Sequence, residues 1–352
     1  MRGAIVKADW LTAQACPAMA WHRLRAKAVA PAEAEQFRMK QGQEIGALAR
    51  RLYSVGVMVP PVPGKTPGQV TAELLDDTAK ETFFEATVVA GSFVAKADIL
   101  QRQQAAWHVL EVKSRFLDDL SQDLIDDLAY TVMVFQRAGL TVAKASFVLL
   151  SRNFRFGDDV ERLFEVVERT SDVMRRAAEF DASAEAISKA LLSNEPPEPV
   201  LVSACRECRF FDEKCLGAGI AHTVLEIPGL HQKKLNRLSS EGIIDLSCLP
   251  HDLELNRQQQ RARDAILAGK PIIGRWLSEA LAAIVWPCYY LDFATVATVL
   301  PLYAGHSCHQ QVLTQFSLHR RNAMDAKLEH QEYLADATRD CQREVAEALI
   351  NT

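Results

Sequence analysis

No apolar run in this 352-residue chain approaches the roughly 20 residues that cross a bilayer. A membrane-spanning helix is therefore not expected. The opening residues Met1 to Asp9 lack the long apolar core and cleavage site of a secretory signal, so the cytoplasm is the expected compartment. Internal repeats and low-complexity tracts are absent, which argues against solenoids and disordered arrays. An excess of positive charge is missing too. The net charge is −5, which is not the footprint of a strongly basic nucleic-acid coat protein. It remains compatible with an acidic metal site set beside local basic stretches, such as Lys233-Lys234-Leu235-Asn236-Arg237 and the arginines Arg257, Arg261 and Arg263. What the chain does have is ordinary globular composition, 49% hydrophobic and 24% charged, long enough for two or three domains. Its eight cysteines, in a reducing compartment, read as metal ligands where they cluster rather than as a disulfide framework.

The expected class is α/β. Apolar residues recur at helical spacing from Pro31 to Val55. Thr66-Pro67 supplies a cap and a first-turn proline for a helix running to about Lys80. Three β-rich stretches follow, Thr82 to Val89, Phe93 to Gln101 and Trp107 to Ser114, the first two joined by the turn Ala90-Gly91-Ser92. A helix over Phe116 to Ala138 stops at Gly139. Ser146 to Leu150 reads as a buried strand, and Asp158 to Ser193 as one or two helices. Beyond Pro196-Pro197 comes a cysteine cluster. A helix–Gly-Ile turn–helix pattern spans Ile227 to Leu246, and a second β-rich piece runs from Tyr289 to a helix near Val345. The expected division is a core over 1–200, the cysteine cluster over 201–222, a hairpin-like linker over 223–285 and a C-terminal piece over 286–352.

Side chains alternate across a strand, so Glu111 and Lys113 share one face. If the second and third strands pair as a hairpin, Asp98 lies across from Glu111. Two carboxylates and a lysine then converge at a sheet edge. Hard oxygen ligands of this kind suit Mg²⁺ or Mn²⁺. The chemistry they serve is in-line attack of an activated water on a phosphodiester, with the metal neutralising phosphate charge and Lys113 orienting the water or stabilising developing charge. The plainer alternative is a surface hairpin with alternating charges. Cys205, Cys208 and Cys215, spaced C-x2-C-x6-C, supply three thiolates from one loop, and Cys16 can supply the fourth. Such a set suits zinc or an iron–sulfur cluster. Cys248, Cys288, Cys308 and Cys341 are scattered and read as small core or surface residues.

Taken together, Cys16-Pro17…Trp21, Gly42…Gly46, Phe84-Glu85-Ala86-Thr87, Ala97-Asp98-Ile99-Leu100, Glu111-Val112-Lys113-Ser114 and the cysteine trio resemble the RecB-type branch of the PD-(D/E)XK nucleases. The likeness is to the CRISPR-adaptation-associated exonucleases and their bacterial relatives. It covers residues 1 to about 220. It implies a restriction-endonuclease-like core of order α-β-β-β-α-β, metal on Asp98, Glu111 and the Val112 backbone, a catalytic Lys113, and a 4Fe–4S cluster on Cys16, Cys205, Cys208 and Cys215. The implied activity is digestion of DNA, chiefly at single-stranded ends, in repair, CRISPR adaptation or phage defence; a weakened DNA-binding or assembly module in a nucleic-acid processing complex is the alternative. Two positions depart from that family. Its first-helix histidine is replaced in the Gln43-Glu44 region, and threonine (Thr131) follows Tyr130 where glutamine is expected. Gln43, Glu44, Glu85 and Tyr130 are the expected supporting residues, with Glu44 or Glu85 supplying the compensating acid. Tyr290-Leu291-Asp292-Phe293-Ala294-Thr295 resembles the first strand of a DEDD-type, RNase H-like exonuclease domain. Ala294 stands where that family's second carboxylate belongs, so Asp292 marks a truncated or degenerate remnant without an active site.

Overall fold

The computed structural model describes residues 3–27 and 29–352. Its N-terminal part is a mixed α/β unit. A short strand β1 (Ile5–Val6) runs into helices α1 (Lys7–Ala15), α2 (Pro17–Arg25) and α3 (Glu33–Ala49). Strand β2 (Val57–Met58) and helix α4 (Pro67–Leu75) precede an antiparallel set, β3 (Thr82–Ala90), β4 (Phe93–Gln103) and β5 (Ala106–Val112). Helix α5 (Gln122–Arg137), β6 (Val142–Leu150), β7 (Phe164–Glu168) and α6 (Thr170–Leu192) complete it. The sheet is seven-stranded in the order β2-β3-β4-β5-β6-β7, with β1 added parallel to β4. The expected helix, three strands, helix and strand are present as α4 to β6, with β6 parallel to β5.

Local chemistry accounts for most boundaries. Thr66 caps α4 by accepting from the Gln69 N–H at 3.3 Å, and the Gln69 side chain accepts from the Thr66 N–H in return. Gly139, at φ 86°, ends α5 in a conformation that few other residues adopt. Three expectations need correction. The helix placed at Phe116 begins only at Gln122, because Phe116 is itself buried and leads a 3-10 turn. The segment from Asp158 is not wholly helical: Phe164-Glu165-Val166-Val167-Glu168 forms edge strand β7, as its β-branched pair favours. The expected helical hairpin has one helix only, over Gln232–Ser240, since Leu246–Cys248 is a 3-10 turn.

The sheet separates two apolar layers. On one side α1, α5 and α6 bury Trp10, Tyr130, Phe135 and Phe180 against Phe83 and Phe147. On the other, Ile45 and Ala49 of α3 cover Phe84, Ile99, Leu110 and Val148. Each such aromatic or aliphatic side chain contributes about 1.5–3 kcal/mol on burial.

After α6 the chain passes through the cysteine segment with α7 (Phe211–Lys214), then α8 (Gln232–Ser240), α9 (Arg257–Ala268) and α10 (Leu277–Ala282). Leu201, Phe211, Leu235 and Leu246 form the apolar centre of this region. The C-terminal piece is an antiparallel sheet of β8 (Cys288–Ala297), β9 (Gln311–Arg321) and β10 (Glu329–Leu334), packed on α11 (Gln342–Ile350) through Phe316 and Val345. Among the described residues no helix is long and apolar enough to cross a membrane.

Candidate active site

Register brings three acids into line. Strands β4 and β5 pair as Ile99↔Leu110, which sets Asp98 against Glu111 in the next position. Strands β3 and β4 pair as Phe84↔Ile99 and resume at Ala86↔Ala97, leaving Glu85 and Asp98 between them. Glu85 has φ 60°, a strained backbone for a non-glycine residue. The layers change over at the same place. Ala95 and Ala97 join the α1/α5 layer, but beyond Asp98 it is Leu100 that does so while Ile99 turns to α3. The sheet thus changes the face it presents at Glu85 and Asp98 while the β3–β4 register stays continuous.

Asp98 Oδ2 accepts a hydrogen bond from the Val112 N–H at 2.8 Å. Burial first, and then repulsion from Glu111, push its carboxyl up to about 7. Glu111 is buried, and burial alone would raise it. Lys7 and Lys113 outweigh that and hold it well below the usual carboxylate range. Its Oε1 lies 2.7 Å from Lys7 Nζ and 3.1 Å from Lys113 Nζ. The same two ammonium groups meet Asp127 of α5, Lys7 at 3.2 Å and Lys113 in direct contact. Two cations therefore bridge two anions. Although burial opposes it, Glu111 and Asp127 keep both lysines charged above the ordinary lysine range. All of these contacts use one oxygen of Glu111. Its Oε2 is buried with no hydrogen-bond partner.

An open cavity of about 570 Å³ lies over Asp98, Glu111 and Lys113, roofed by Gly42, Gln43 and Gly46 of α3. Gly42 and Gly46 are four apart on a helix and so share a face; a methyl group on Gly42 would meet nothing within 4 Å. Glu85 lines this cavity and pairs with Arg50 at 3.4 Å and with Lys96.

The structure thus gathers Asp98, Glu111, Lys113, Val112, Gln43 and Glu85. It does not gather the rest. Glu44 lines a different cavity on the far side of α3 with Phe154 and Leu300, because its neighbour Gln43 takes the site-facing position a helical step away. Tyr130 is fully buried and donates to the carbonyls of Ile5 at 2.7 Å and Val94 at 3.2 Å, latching β1 to β4. Thr131 bonds back to the Asp127 carbonyl of its own helix at 3.5 Å. Lys7 and Asp127 are the residues that sequence reasoning missed. Asp127 carried a signal, since it falls among Leu124, Leu128 and Thr131 on the buried stripe of α5. Lys7, 104 positions from Glu111, carried none.

The four cysteines meet as well. Cys16, Cys205, Cys208 and Cys215 line one small cavity with Met19 and His22. Cys16 is the N-cap of α2, its sulfur accepting from the Met19 N–H at 3.5 Å. Cys205 accepts from the Val202 N–H at 3.4 Å. Burial and the neighbouring sulfurs push the Cys205 and Cys215 thiols up. Among the described residues no three His, Cys, Asp or Glu side chains stand close enough to hold a single metal ion. Trp21 and Arg25 of α2 independently tie this corner to the end of α6, at the Ser193 carbonyl, 2.9 and 2.6 Å away.

The other expected features are placed as follows. Arg237 pairs with Glu241 and Asp252, and Arg263 with Asp264, so these arginines are neutralised locally. Asp292 lies exposed in β8 opposite Ser317.

The domain of unknown function DUF2779 matches residues 289–352. No curated protein matches the chain. An alkaline exonuclease (LHK-Exo) from Laribacter hongkongensis is similar in structure at 12% identity, over 54% of this chain and 91% of that one, with a TM-score of 0.22.

Proposed function

We propose that the chain is a metal-dependent phosphodiesterase acting on DNA, an exonuclease working mainly on single-stranded ends, with a restriction-endonuclease-like core of the RecB type. The observation that carries this reading is the orphaned Oε2 of buried Glu111 beside Asp98. A buried carboxylate oxygen without a partner is expensive, and a cation is what satisfies it. The donor set, two carboxylates and the adjoining Val112 backbone, is hard oxygen and fits Mg²⁺ or Mn²⁺. When bound, that ion supplies Lewis-acid stabilisation of the phosphate and activation of water. The chain's own part is orientation. Lys113, charged and fixed between Glu111 and Asp127, presents an ammonium to the attacked phosphate. Lys7 holds the same oxygen of Glu111, and the glycine-roofed cavity admits the strand.

Four thiols around one cavity, two of them accepting backbone N–H groups, fit a thiolate-bound 4Fe–4S cluster held by Cys16, Cys205, Cys208 and Cys215. Zinc is the competing occupant. Its sulfurs would have to close to about 3.8 Å from one another, given Zn–S bonds of about 2.3 Å. Iron and acid-labile sulfide content of anaerobically purified protein separates the two, zinc without iron rejecting the cluster.

A second reading, a DNA-binding or assembly module with a weakened site, is favoured by Gln43 standing where a helix ligand is expected over the acids. Incubation of 5′- and 3′-labelled single-stranded DNA with Mn²⁺ decides. Degradation that vanishes in Asp98→Ala and Lys113→Ala supports the nuclease. Binding without turnover supports the module, and turnover that survives both changes rejects the site.

A further inference from the structure

A second groove, of about 590 Å³, adjoins the active site where the chain leaves it. Ser114 and Arg115 follow Lys113 directly. Their backbone continues alongside β6, with the Lys113 N–H on the Val148 carbonyl at 3.0 Å and the Leu150 N–H on the Arg115 carbonyl at 2.9 Å. The groove takes Arg38 from α3, Arg115 from this extension, and Arg152 from the loop after β6. Its remaining wall comes from the C-terminal piece, through Val299 and His309.

That wall is anchored. Val299 and Cys308 are buried in the same layer as Phe116, Val148, Leu150 and Phe154. The Phe156 N–H bonds to the His306 carbonyl at 2.9 Å, and Arg155 bridges Ser307. His309 Nε2 lies 2.9 Å from the Ser114 carbonyl. A carbonyl can only accept, so Nε2 carries the proton. The His309 ring also stands edge-on to Phe116 at 5.6 Å, and Phe116 in turn carries the Arg152 guanidinium 4.2 Å above its ring.

The charge in the groove is uneven. Arg152 pairs with Asp118 at 2.8 Å, and Asp119 is spent on the Phe116 N–H at 3.2 Å. Arg38 and Arg115 are exposed and have no carboxylate partner among the described residues. Two unneutralised guanidinium groups therefore face one groove, a step along the chain from Lys113. Arginine forks suit phosphate oxygens.

We propose that this groove binds the phosphate backbone of a single nucleic-acid strand next to the scissile position, and that the Val299–His309 segment is a substrate-positioning wall. The inference rests on the nuclease reading. It gives the C-terminal piece a role that its own incomplete acid set does not. Arg38 and Arg115 hold phosphates. His309 is a positioning residue, fixing Ser114 and the ring of Phe116 on which Arg152 lies.

The test is binding of a fluorescent single-stranded oligonucleotide to the full chain in an Asp98→Ala background, titrated across salt concentrations. Arg38→Ala with Arg115→Ala is expected to weaken binding at least tenfold and to lower the log K versus log salt slope by about 1.4, about 0.7 per lost phosphate contact. His309→Ala is expected to weaken binding less, with a smaller change of slope. Lys233→Ala with Lys234→Ala on α8 is expected to change neither. Unaltered affinity and slope in the double arginine variant, with thermal unfolding like the parent's, overturn the groove and leave the nuclease reading standing. So does a loss confined to the lysine pair. A parent chain that binds no strand at all overturns both.

Discussion

The carboxylate site and the cysteine cavity solve the same problem, gathering like side chains, by opposite means. At the carboxylates the sheet does the gathering. Glu85, Asp98 and Glu111 come from three consecutive strands, and a hairpin register error of one residue would turn them to the other face. At the cysteines chain topology does it. Cys16 meets a trio that lies beyond the entire sheet, and the corner is held also by Trp21 and Arg25 on the Ser193 carbonyl. Helix α1 joins the two, since Lys7 opens it at Glu111 and Cys16 closes it at the thiols. Local pairing thus sets the acids, while the corner at Cys16 sets the start of the helix whose Lys7 meets Glu111. Damage to one site should be felt at the other in one direction more than the reverse.

The largest effect should come at Asp98. Asp98→Asn is expected to lower Mn²⁺-dependent cleavage by about 10³-fold. The same change should raise stability at pH 8, because it removes a carboxylate that burial and Glu111 disfavour. Steady-state rates and denaturant midpoints check the two signs, and a loss of both would mean that Asp98 is a structural anion.

Next is Glu111→Gln. It leaves Lys7 and Lys113 facing each other with Asp127 alone to balance them, and is expected to destabilise by about 3–5 kcal/mol, as broken buried ion pairs do. Urea denaturation measures it.

Metal and pH sharpen the contrast further. The Asp98 carboxyl is pushed up to about 7, so the folded state holds its proton more tightly than the unfolded one. Its contribution is full below about pH 4 and is lost as pH rises towards 7, by about 4 kcal/mol at most. Glu111 is held down, so its contribution is present above about pH 4.5 and fades only in stronger acid. In metal-free protein the stability gained by Asp98→Asn should therefore be small near pH 4 and grow as pH rises towards 8. Mn²⁺ should raise the unfolding temperature strongly at pH 8 and little at pH 5, which differential scanning fluorimetry reads directly.

Cys205→Ser tests the direction of coupling. With the proposed cluster bound, it is expected to lower stability by about 2–4 kcal/mol by weakening the closure between Cys16 and the trio, and to reduce cleavage several-fold through the altered position of Lys7. Asp98→Asn should leave the metal or cluster content at the cysteines unchanged. Smallest is Tyr130→Phe, which removes the bonds to Ile5 and Val94 and should cost about 1–2 kcal/mol with cleavage nearly intact.

The sheet acids were legible because strand alternation and hairpin order depend on neighbours in the chain. Asp98, Glu111 and Lys113 follow from Phe93 to Ser114 alone. Glu85 was legible as a candidate but not its choice over Glu44, which hangs on which face of α3 meets the sheet. Tyr130 looked equally eligible, yet it lies one layer deeper, satisfying β1.

By itself, then, the sequence determined the α/β class, the three-strand hairpin array, the acid–lysine pattern on it and the spacing of the cysteine trio, all products of short-range periodicity. The place of Cys16 beside the trio is implied by the resemblance, and Asp127 is marked by the buried stripe of α5. Tertiary structure alone decided that Lys7 joins the charge balance and that the Val299–His309 segment walls a groove beside Lys113. Those contacts join segments whose separation along the chain leaves no local trace, and only the closing of the apolar layers brings them within reach.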